Sequence, residues 1–445
     1  MVSPDSDRSL FASSAGALFA TAGVAIGLGN IWRFPYMMGR DGGVVFLLVY
    51  LFFALTVGAP MLMAEWTLGR ETRRGPLGAY TRAGLRCGGF WGWLLVVTVV
   101  MSASYYGVVV ARVLHVAVEV ARTAATGGPT PDHARLTASI VEQYAYLALS
   151  VGLGCGVLGL GVRRGVERLS TIAIPLFFLI FVALIGRALA LPGGVEGLGA
   201  FLTPRWSDFE ARDALSALGQ VIFSLGLGGT FMVVYGSYMR PGTHLGRTAI
   251  GTTLADVAAA LLAALLIVPA AASVGAPLSS GPPLMFDVLP RVFRQTPAGG
   301  LLGSLFFFGV YLVAMLSLVA AYETLVAAMR DALGWTRRRT LALLFAAQTA
   351  LALPAYLLPR YIEVSDFVWG TTLQPLGAAL AVIALTWSLI RRRDLARRRA
   401  AGDSPLPEWL YCWLRYVVPV AILATLVAGW WDGVGTITSL LNHAG

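Results

Sequence analysis

The chemistry-bearing residues of this chain are few, and they sit where an apolar run should hold none. The stretch Ala22–Pro35, AGVAIGLGNIWRFP, places Gly27, Leu28, Gly29 and Asn30 midway along a segment otherwise apolar enough to cross a bilayer. Glycine weakens a helix by about 1 kcal/mol relative to alanine, and a buried amide is costly unless something binds it. A second run, GQVIFSLGLGGTFMVVYGSYMR, carries Ser224, Gly226, Gly228 and Gly229 at its midpoint. Backbone that unwinds at such points frees carbonyls for a cation and amides for an anion. Asn30, Ser224 and the freed carbonyls are oxygen ligands of the kind a hard cation such as sodium takes. A carboxylate fits the freed amides of Gly27 to Gly29, at the positive end of a half-helix. The competing reading is that these glycines serve close helix packing. Clusters beside Asn30 and Ser224 favour binding, because broken backbone in lipid is tolerated only where it is buried or lines a cavity.

This is binding chemistry rather than bond-making. The chain holds no CxxC, HExxH, P-loop or GxSxG in a credible context. Its histidines (His115, His133, His244 and His443) are scattered and predict no metal cluster. Cys87, Cys155 and Cys412 show no disulfide pattern. An enzyme is therefore not expected.

The elements that position these residues are membrane helices. Of 445 residues 57% are hydrophobic and 13% charged, and the mean hydropathy is +0.73. That composition places most of the chain in lipid. With about 20 apolar residues per span, the sequence predicts spans over Phe11–Tyr36, Val44–Leu68, Gly89–Val120, Tyr144–Leu160, Gly165–Ala190, Ala214–Tyr238, Gly246–Val274, Leu301–Leu333, Thr340–Leu358, Phe367–Ile390 and Trp409–Trp431. The eighth is long enough to project beyond the bilayer. The glycine breaks fall in the first and sixth spans, which divides the chain into halves of five helices, each opening on an interrupted helix. Such a pairing is the best pointer in a sequence to a transporter's binding site, and an odd repeat length inverts the second half.

The net charge of +10 is topology rather than a nucleic-acid partner. Every Lys/Arg position is arginine. Arg70, Arg73, Arg74, Arg82 and Arg86 follow the second span; Arg163, Arg164 and Arg168 the fourth; Arg240 and Arg247 the sixth. Arg337, Arg338 and Arg339 follow the eighth, and Arg391, Arg392, Arg393, Arg397, Arg398 and Arg399 the tenth. The positive-inside rule puts those loops and the N-terminus in the cytoplasm and the C-terminus outside. No basic n-region precedes Phe11, so no cleavable signal is expected. The expected division is a cytoplasmic gate segment 1–10, a first repeat 11–190, an extracellular loop 191–213, a second repeat 214–390, a basic cytoplasmic loop 391–408, an eleventh helix 409–431 and an extracellular tail 432–445.

The first stretch, with GRDGG after it and APMLMAEWTLGR beyond, resembles the first two helices of the neurotransmitter:sodium symporter family. GQVIFSLGLGG resembles that family's sixth helix and Ser104–Tyr106 its third, and the similarity covers nearly the whole chain. The resemblance implies an all-α integral membrane protein of the LeuT fold: two inverted five-helix repeats with unwound helices 1 and 6, plus an eleventh helix, as in a common bacterial branch. It implies a sodium-coupled symporter for a neutral L-amino acid in a bacterial inner membrane, working by alternating access with one or two sodium ions and no organic cofactor.

Carried onto this sequence, the first sodium site takes the Ala25 carbonyl, the Asn30 side chain, Ser224 and a residue of the seventh helix. Counting back from Pro269 gives Asp256, where relatives carry Asn. An aspartate in mid-membrane costs roughly 2.5–3.5 kcal/mol on insertion scales; sodium is its expected partner, and a protonated or water-solvated carboxyl is the alternative. Its charge could replace the chloride that animal relatives use. The second site maps onto the carbonyls of Gly23, Ile26 and Val313 with Ser317, leaving Leu316 where Thr or Asp is usual. A one-residue shift instead puts Ser317 in that position and Leu318 beside it. The substrate pocket maps onto Val24, Ala25, Gly27, Leu28, Gly29, Ser102, Tyr106, Phe223, Ser224, Gly226, Gly229, Ser317 and Ala321. Tyr106 would bind the carboxylate and Phe223 roof the pocket. Glycine at 27, where monoamine carriers have Asp, favours a zwitterion. Small walls at Ser102, Gly226, Gly229 and Ala321 favour a bulky apolar or aromatic side chain, unless neighbouring helices close in. The gates map onto Arg33 with Asp366 and Gln220 outside, and onto Arg8 with Asp331, plugged by Phe11, inside. The rivals are a proton-coupled carrier or exchanger of the same fold and a non-transporting amino-acid sensor.

Overall fold

A computed structural model describes residues 10–128, 136–137, 139–276, 284–358, 360–390 and 407–442, and every regular element among them is helical. Among the described residues nine helices are long and apolar enough to span a bilayer: α2 (Val44–Thr72), α3 (Gly88–Thr126), α4 (Ile140–Gly159), α5 (Val162–Leu189), α7 (Leu245–Ser273), α8 (Gly299–Leu333), α9 (Arg337–Leu357), α10 (Tyr361–Leu389) and α11 (Glu408–Trp431). The first span, α1, is a bent pair, Ser14–Ala25 and Gly29–Arg40, with 58° between its halves. The sixth, α6, is also two pieces, Ala211–Ser224 and Phe231–Tyr238. Neither piece reaches the roughly 20 residues a span needs, so they cross only as an end-to-end pair. The helix that begins α11 runs on to Asn442, where the sequence predicts a tail from residue 432.

Each break has a local cause. The first half of α1 ends on Ile26, whose ψ of 115° is extended. In α6 the chain leaves the helix after Ser224 and passes through Gly226 at φ +63°, Gly228 at φ +80° and Thr230 at φ +60°. Gly228 must be glycine twice over. Its φ is left-handed, and a Cβ there would lie 1.8 Å from the Gln374 carbonyl oxygen of α10. Two acceptor–donor pairs hold the opened backbone: the Gly228 amide donates to Glu65 Oε1 of α2 at 2.8 Å, and Gln374 Nε2 donates to the Leu227 carbonyl at 3.2 Å.

Around these breaks the long helices form the frame. At 1.5 Å rise per residue, the 39 residues of α3 and 35 of α8 run about 58 and 52 Å, well past a hydrocarbon core of about 30 Å. They pack on each other more extensively than any other described pair. Helices α3, α7 and α8 are mostly enclosed by protein, whereas α4, α9 and α11 face outward along most of their length. The second half of α6 lies backbone to backbone on α2. A Cβ on Gly69 would fall 1.8 Å from the Val233 carbonyl oxygen, and one on Gly236 would meet the Trp66 backbone at 2.6 Å. Gly69→Ala is therefore expected to cost about 1–3 kcal/mol by overpacking, read as a lower melting temperature in detergent. An unchanged melt would show that the two backbones can part.

Candidate functional site

The two breaks face each other across a buried polar cluster. Asn30 closes the gap in α1 by accepting the Gly27 amide on Oδ1 at 2.9 Å. Its Nδ2 points the other way, to Asp256 Oδ1 of α7 at 2.7 Å, the Asp256 carbonyl at 3.1 Å and Ser224 Oγ at 3.1 Å. Ser224 also donates to Asp256 Oδ1 at 2.7 Å, and the Tyr50 hydroxyl of α2 donates to Oδ2 at 2.9 Å. Asn30, Tyr50 and Asp256 are all fully buried. Neutral donors satisfy the hydrogen-bonding of the carboxylate, yet among the described residues no arginine or histidine pairs with it. A buried charge is tolerated when it is paired or holds a metal. The cluster thus brings the Ser224 hydroxyl and the Asp256 carboxylate together, while Asn30 turns its amide nitrogen towards them and its Oδ1, the oxygen the sequence assigned to the ion, towards the Gly27 amide. Tyr50 was not anticipated, since a tyrosine in the run VVFLLVYLFF carries no signal of its own.

A second set of oxygens lies deeper along α1. Ser317 Oγ of α8 sits 3.5, 3.2 and 3.4 Å from the carbonyls of Gly23, Val24 and Ile26. The neighbouring Leu316 turns its side chain towards Gly23, with Cδ1 3.0 Å from where a Cβ would be. Of the two registers left open by the sequence, the structure has Ser317 at the carbonyls and a hydrocarbon beside it. Val313 is buried on the same helix.

Between these sets and the gate residues is a cavity of about 110 Å³. Val24, Ala25, Gly27, Leu28, Gly29, Ser102, Tyr106, Phe223, Ser224, Gly226, Ser317 and Ala321 line it, together with Phe231. Gly229 does not. Phe231, the first residue of the second half of α6, puts its ring 2.2–2.8 Å from the point a Gly229 Cβ would occupy. The space that Gly229 concedes is taken by an aromatic ring from two residues on. The Gly27 amide is already used by Asn30, which leaves the amides heading the second half-helix and the Tyr106 hydroxyl as donors that a carboxylate in this cavity could use. A Cβ on Gly27 would come 3.0 Å from Ser317 Oγ and 3.4 Å from the Tyr106 hydroxyl. Gly27→Asp is accordingly expected to abolish binding of a carboxylate-bearing ligand; retained binding would misplace that pole of the site.

The gate residues differ on the two sides. Arg33 and Asp366 are not within ion-pair distance. The Arg33 guanidinium lies over the Phe223 ring, 4.6 Å from its centroid, and Asp366 accepts the Tyr105 hydroxyl at 2.9 Å. Beyond the cavity a vestibule of about 790 Å³ passes between Arg33 and Asp366, with Leu28, Tyr106 and Phe223 on its floor. Gln220 donates to the Gly29 carbonyl at 3.2 Å. On the opposite side Phe11 is 1% exposed, with its ring 5.8 and 6.1 Å from those of Tyr235 and Tyr238. The Tyr238 hydroxyl donates to Glu323 Oε1 at 2.8 Å, and Arg337 holds the same carboxylate. Asp331 accepts the Gly75 amide; Arg8, its expected partner, lies outside the described residues. This arrangement is wide on the Arg33 side and shut on the Phe11 side.

Two broken helices that face each other across a buried polar cluster, beside a cavity, are the architecture of a secondary transporter. Residues 8–124 and 138–430 match the sodium:neurotransmitter symporter family, and the chain belongs to it. It is 34% identical over 444 residues to the uncharacterized sodium-dependent transporter YhdH of Bacillus subtilis, covering 93% of this chain and 96% of that one. It is 22% identical over 480 residues to the sodium-dependent dopamine transporter of Bos taurus, covering 95% of this chain and 69% of the relative. Among solved structures it is similar to MhsT in complex with L-phenylalanine. The TM-score is 0.84 at 30% identity, over 95% of this chain and 100% of that one. The protein is a sodium-dependent, multi-pass membrane transporter with the LeuT fold, and the family is not one of enzymes.

Proposed function

We propose that this protein imports a neutral, bulky apolar or aromatic L-amino acid with sodium, by alternating access and without chloride. The carrying observation is the buried Asp256 carboxylate, in contact with Asn30 and Ser224 beside the cavity. Its unit charge balances a sodium ion at the first site, where a neutral residue would need a separate anion. The cavity offers amides and Tyr106 to a carboxylate at one pole, and Phe231, Gly226 and Ala321 to an apolar side chain at the other. The phenylalanine held by the similar MhsT supports that class of ligand.

Arg33, Asp366 and Gln220 form the outer gate in this reading, and Arg8, Asp331 and Phe11 the inner one. Sodium at Ala25, Asn30, Ser224 and Asp256 steadies the outward-open form; substrate then draws Arg33 to Asp366. Arg33 and Asp366 are only partly buried and stand apart, the Arg33 guanidinium over Phe223 and Asp366 on Tyr105, which suits contacts that form and break every cycle. Each 100 mV of membrane potential adds about 2.3 kcal/mol per charge carried inward. The arginine-rich loops support a bacterial plasma-membrane protein with its N-terminus in the cytoplasm and its C-terminus outside.

Uptake into proteoliposomes, with all twenty amino acids and with sodium, proton and chloride gradients varied separately, tests this reading. Accumulation driven by sodium alone, strongest for aromatic or large aliphatic substrates, is expected. Uptake that follows a pH gradient without sodium, or binding without accumulation, would sink it. The second ion site, at Gly23, Ile26, Val313 and Ser317, lacks a hydroxyl where Leu316 stands. Leu316→Thr supplies one and is expected to lower the half-saturating sodium concentration several-fold, with equilibrium binding as the readout. No change would show that this site takes no part.

A further inference from the structure

Away from the transport path, the far end of α3 carries a group of ligating side chains that the function above does not use. His115 and Glu119 are one helical turn apart, so they share a face. Glu142 enters from α4, in the first turn after its Ser139 cap. His115 Nε2 lies 3.4 Å from Glu142 Oε1, and one donor atom from each of the three residues falls within 4.8 Å of the others. The imidazole is not free to turn away. Its side chain is 4% exposed, and its ring stacks on Tyr146 at 4.3 Å and 19°. Arg122 takes Glu119 Oε2 at 2.8 Å, which orients that carboxylate and leaves Oε1 available.

We propose that His115, Glu119 and Glu142 form a divalent transition-metal site between α3 and α4, best fitted to zinc. Zinc holds imidazole nitrogen at about 2.0–2.1 Å and carboxylate oxygen at about 2.0–2.2 Å. Two donors at a tetrahedral angle on such an ion stand about 3.4 Å apart, which is the His115–Glu142 separation. One imidazole with two carboxylates suits zinc, copper or nickel, whereas calcium and magnesium want an all-oxygen shell. Arg122 on Glu119 and Tyr146 against His115 are the supports that fix ligand orientation around such an ion. Three protein ligands leave water to complete the shell. The site lies at the end of α3 that the arginine distribution assigns to the outside of the cell, where free metal would reach it directly. A scattered-histidine sequence hides it, because Glu142 is 27 residues from His115 along the chain.

The test is calorimetric titration of zinc chloride into the full-length, untagged protein in detergent. One zinc per chain is expected, with calcium and magnesium unable to compete. His115→Gln and Glu142→Gln should each weaken binding by at least about tenfold. Glu142→Gln, at a side chain 48% exposed, should elute and melt like the parent in the absence of zinc, and it carries the test even where His115→Gln, which removes a buried stacked ring, melts lower. No zinc bound by the parent protein, binding untouched by both substitutions, or equal competition from calcium would overturn the proposal and leave a His–Glu ion pair only. These outcomes do not depend on which amino acid is carried or which ion drives it.

Discussion

Asp256→Ala is expected to remove sodium-dependent substrate binding, with at least a hundredfold loss of apparent sodium affinity. Asp256 is fully buried and accepts hydrogen bonds from Asn30, Ser224 and Tyr50. Breaking one side of a buried charge pair costs about 3–5 kcal/mol, and each 1.4 kcal/mol is a factor of ten in affinity. Asp256→Asn separates charge from shape: it keeps a side chain of the same size and removes the negative charge. Chloride should then begin to support sodium-dependent binding, whereas binding by the parent protein is expected not to respond to it. Equilibrium binding of labelled substrate, with sodium and chloride titrated independently, reads both variants. Sodium-dependent binding that survives Asp256→Ala would show that the carboxylate is a structural member of the cluster and not an ion ligand.

Phe231→Ala is expected to change which amino acid is preferred. The ring forms the wall that Gly229 leaves open, so its loss enlarges the cavity by most of an aromatic side chain. An apolar pocket discriminates about 1–3 kcal/mol per methylene. The ratio of tryptophan to leucine affinity should therefore rise at least tenfold, with the weaker ligand losing contact. Gly229→Phe tests the same wall from the other side. With both rings present one must move into the cavity, so preference should shift to smaller side chains. The double variant, Gly229→Phe with Phe231→Ala, should restore selectivity close to that of the parent chain. Unchanged selectivity across all three would mean that the bound side chain points elsewhere.

Much of this site is legible in the sequence because it is written in backbone terms. Glycines at 27, 29, 226, 228 and 229, in segments too apolar to be loops, announce interrupted helices whatever they pack against. Asn30 and Ser224 follow, since a polar side chain at such a break is costly without a partner. Asp256 is visible as a carboxylate in a membrane helix, with Pro269 to count from. Other parts left no trace. Tyr50 is one aromatic in an apolar run, and Glu65 one acid near a helix end; each matters only because α2 lies against the broken α6. Phe231 is read naturally as a helix residue, and its place in the cavity follows from the left-handed turn at Thr230 just before it. Spacing left open whether Leu316 or Leu318 stands beside Ser317; that Leu316 turns its side chain to Gly23 depends on how α8 packs on α1.

The sequence by itself determined the class: eleven membrane segments, two of them broken, with polar groups at the breaks of the kinds a cation and a carboxylate take. Those properties depend on hydrophobic length, backbone freedom and the cost of isolated polar groups, all of which are local. The tertiary structure alone decided which oxygens converge, that Phe231 fills the space left by Gly229, and that Glu142 of α4 comes to His115 of α3. Contacts between distant helices depend on how their surfaces pack, and no window of sequence contains both partners.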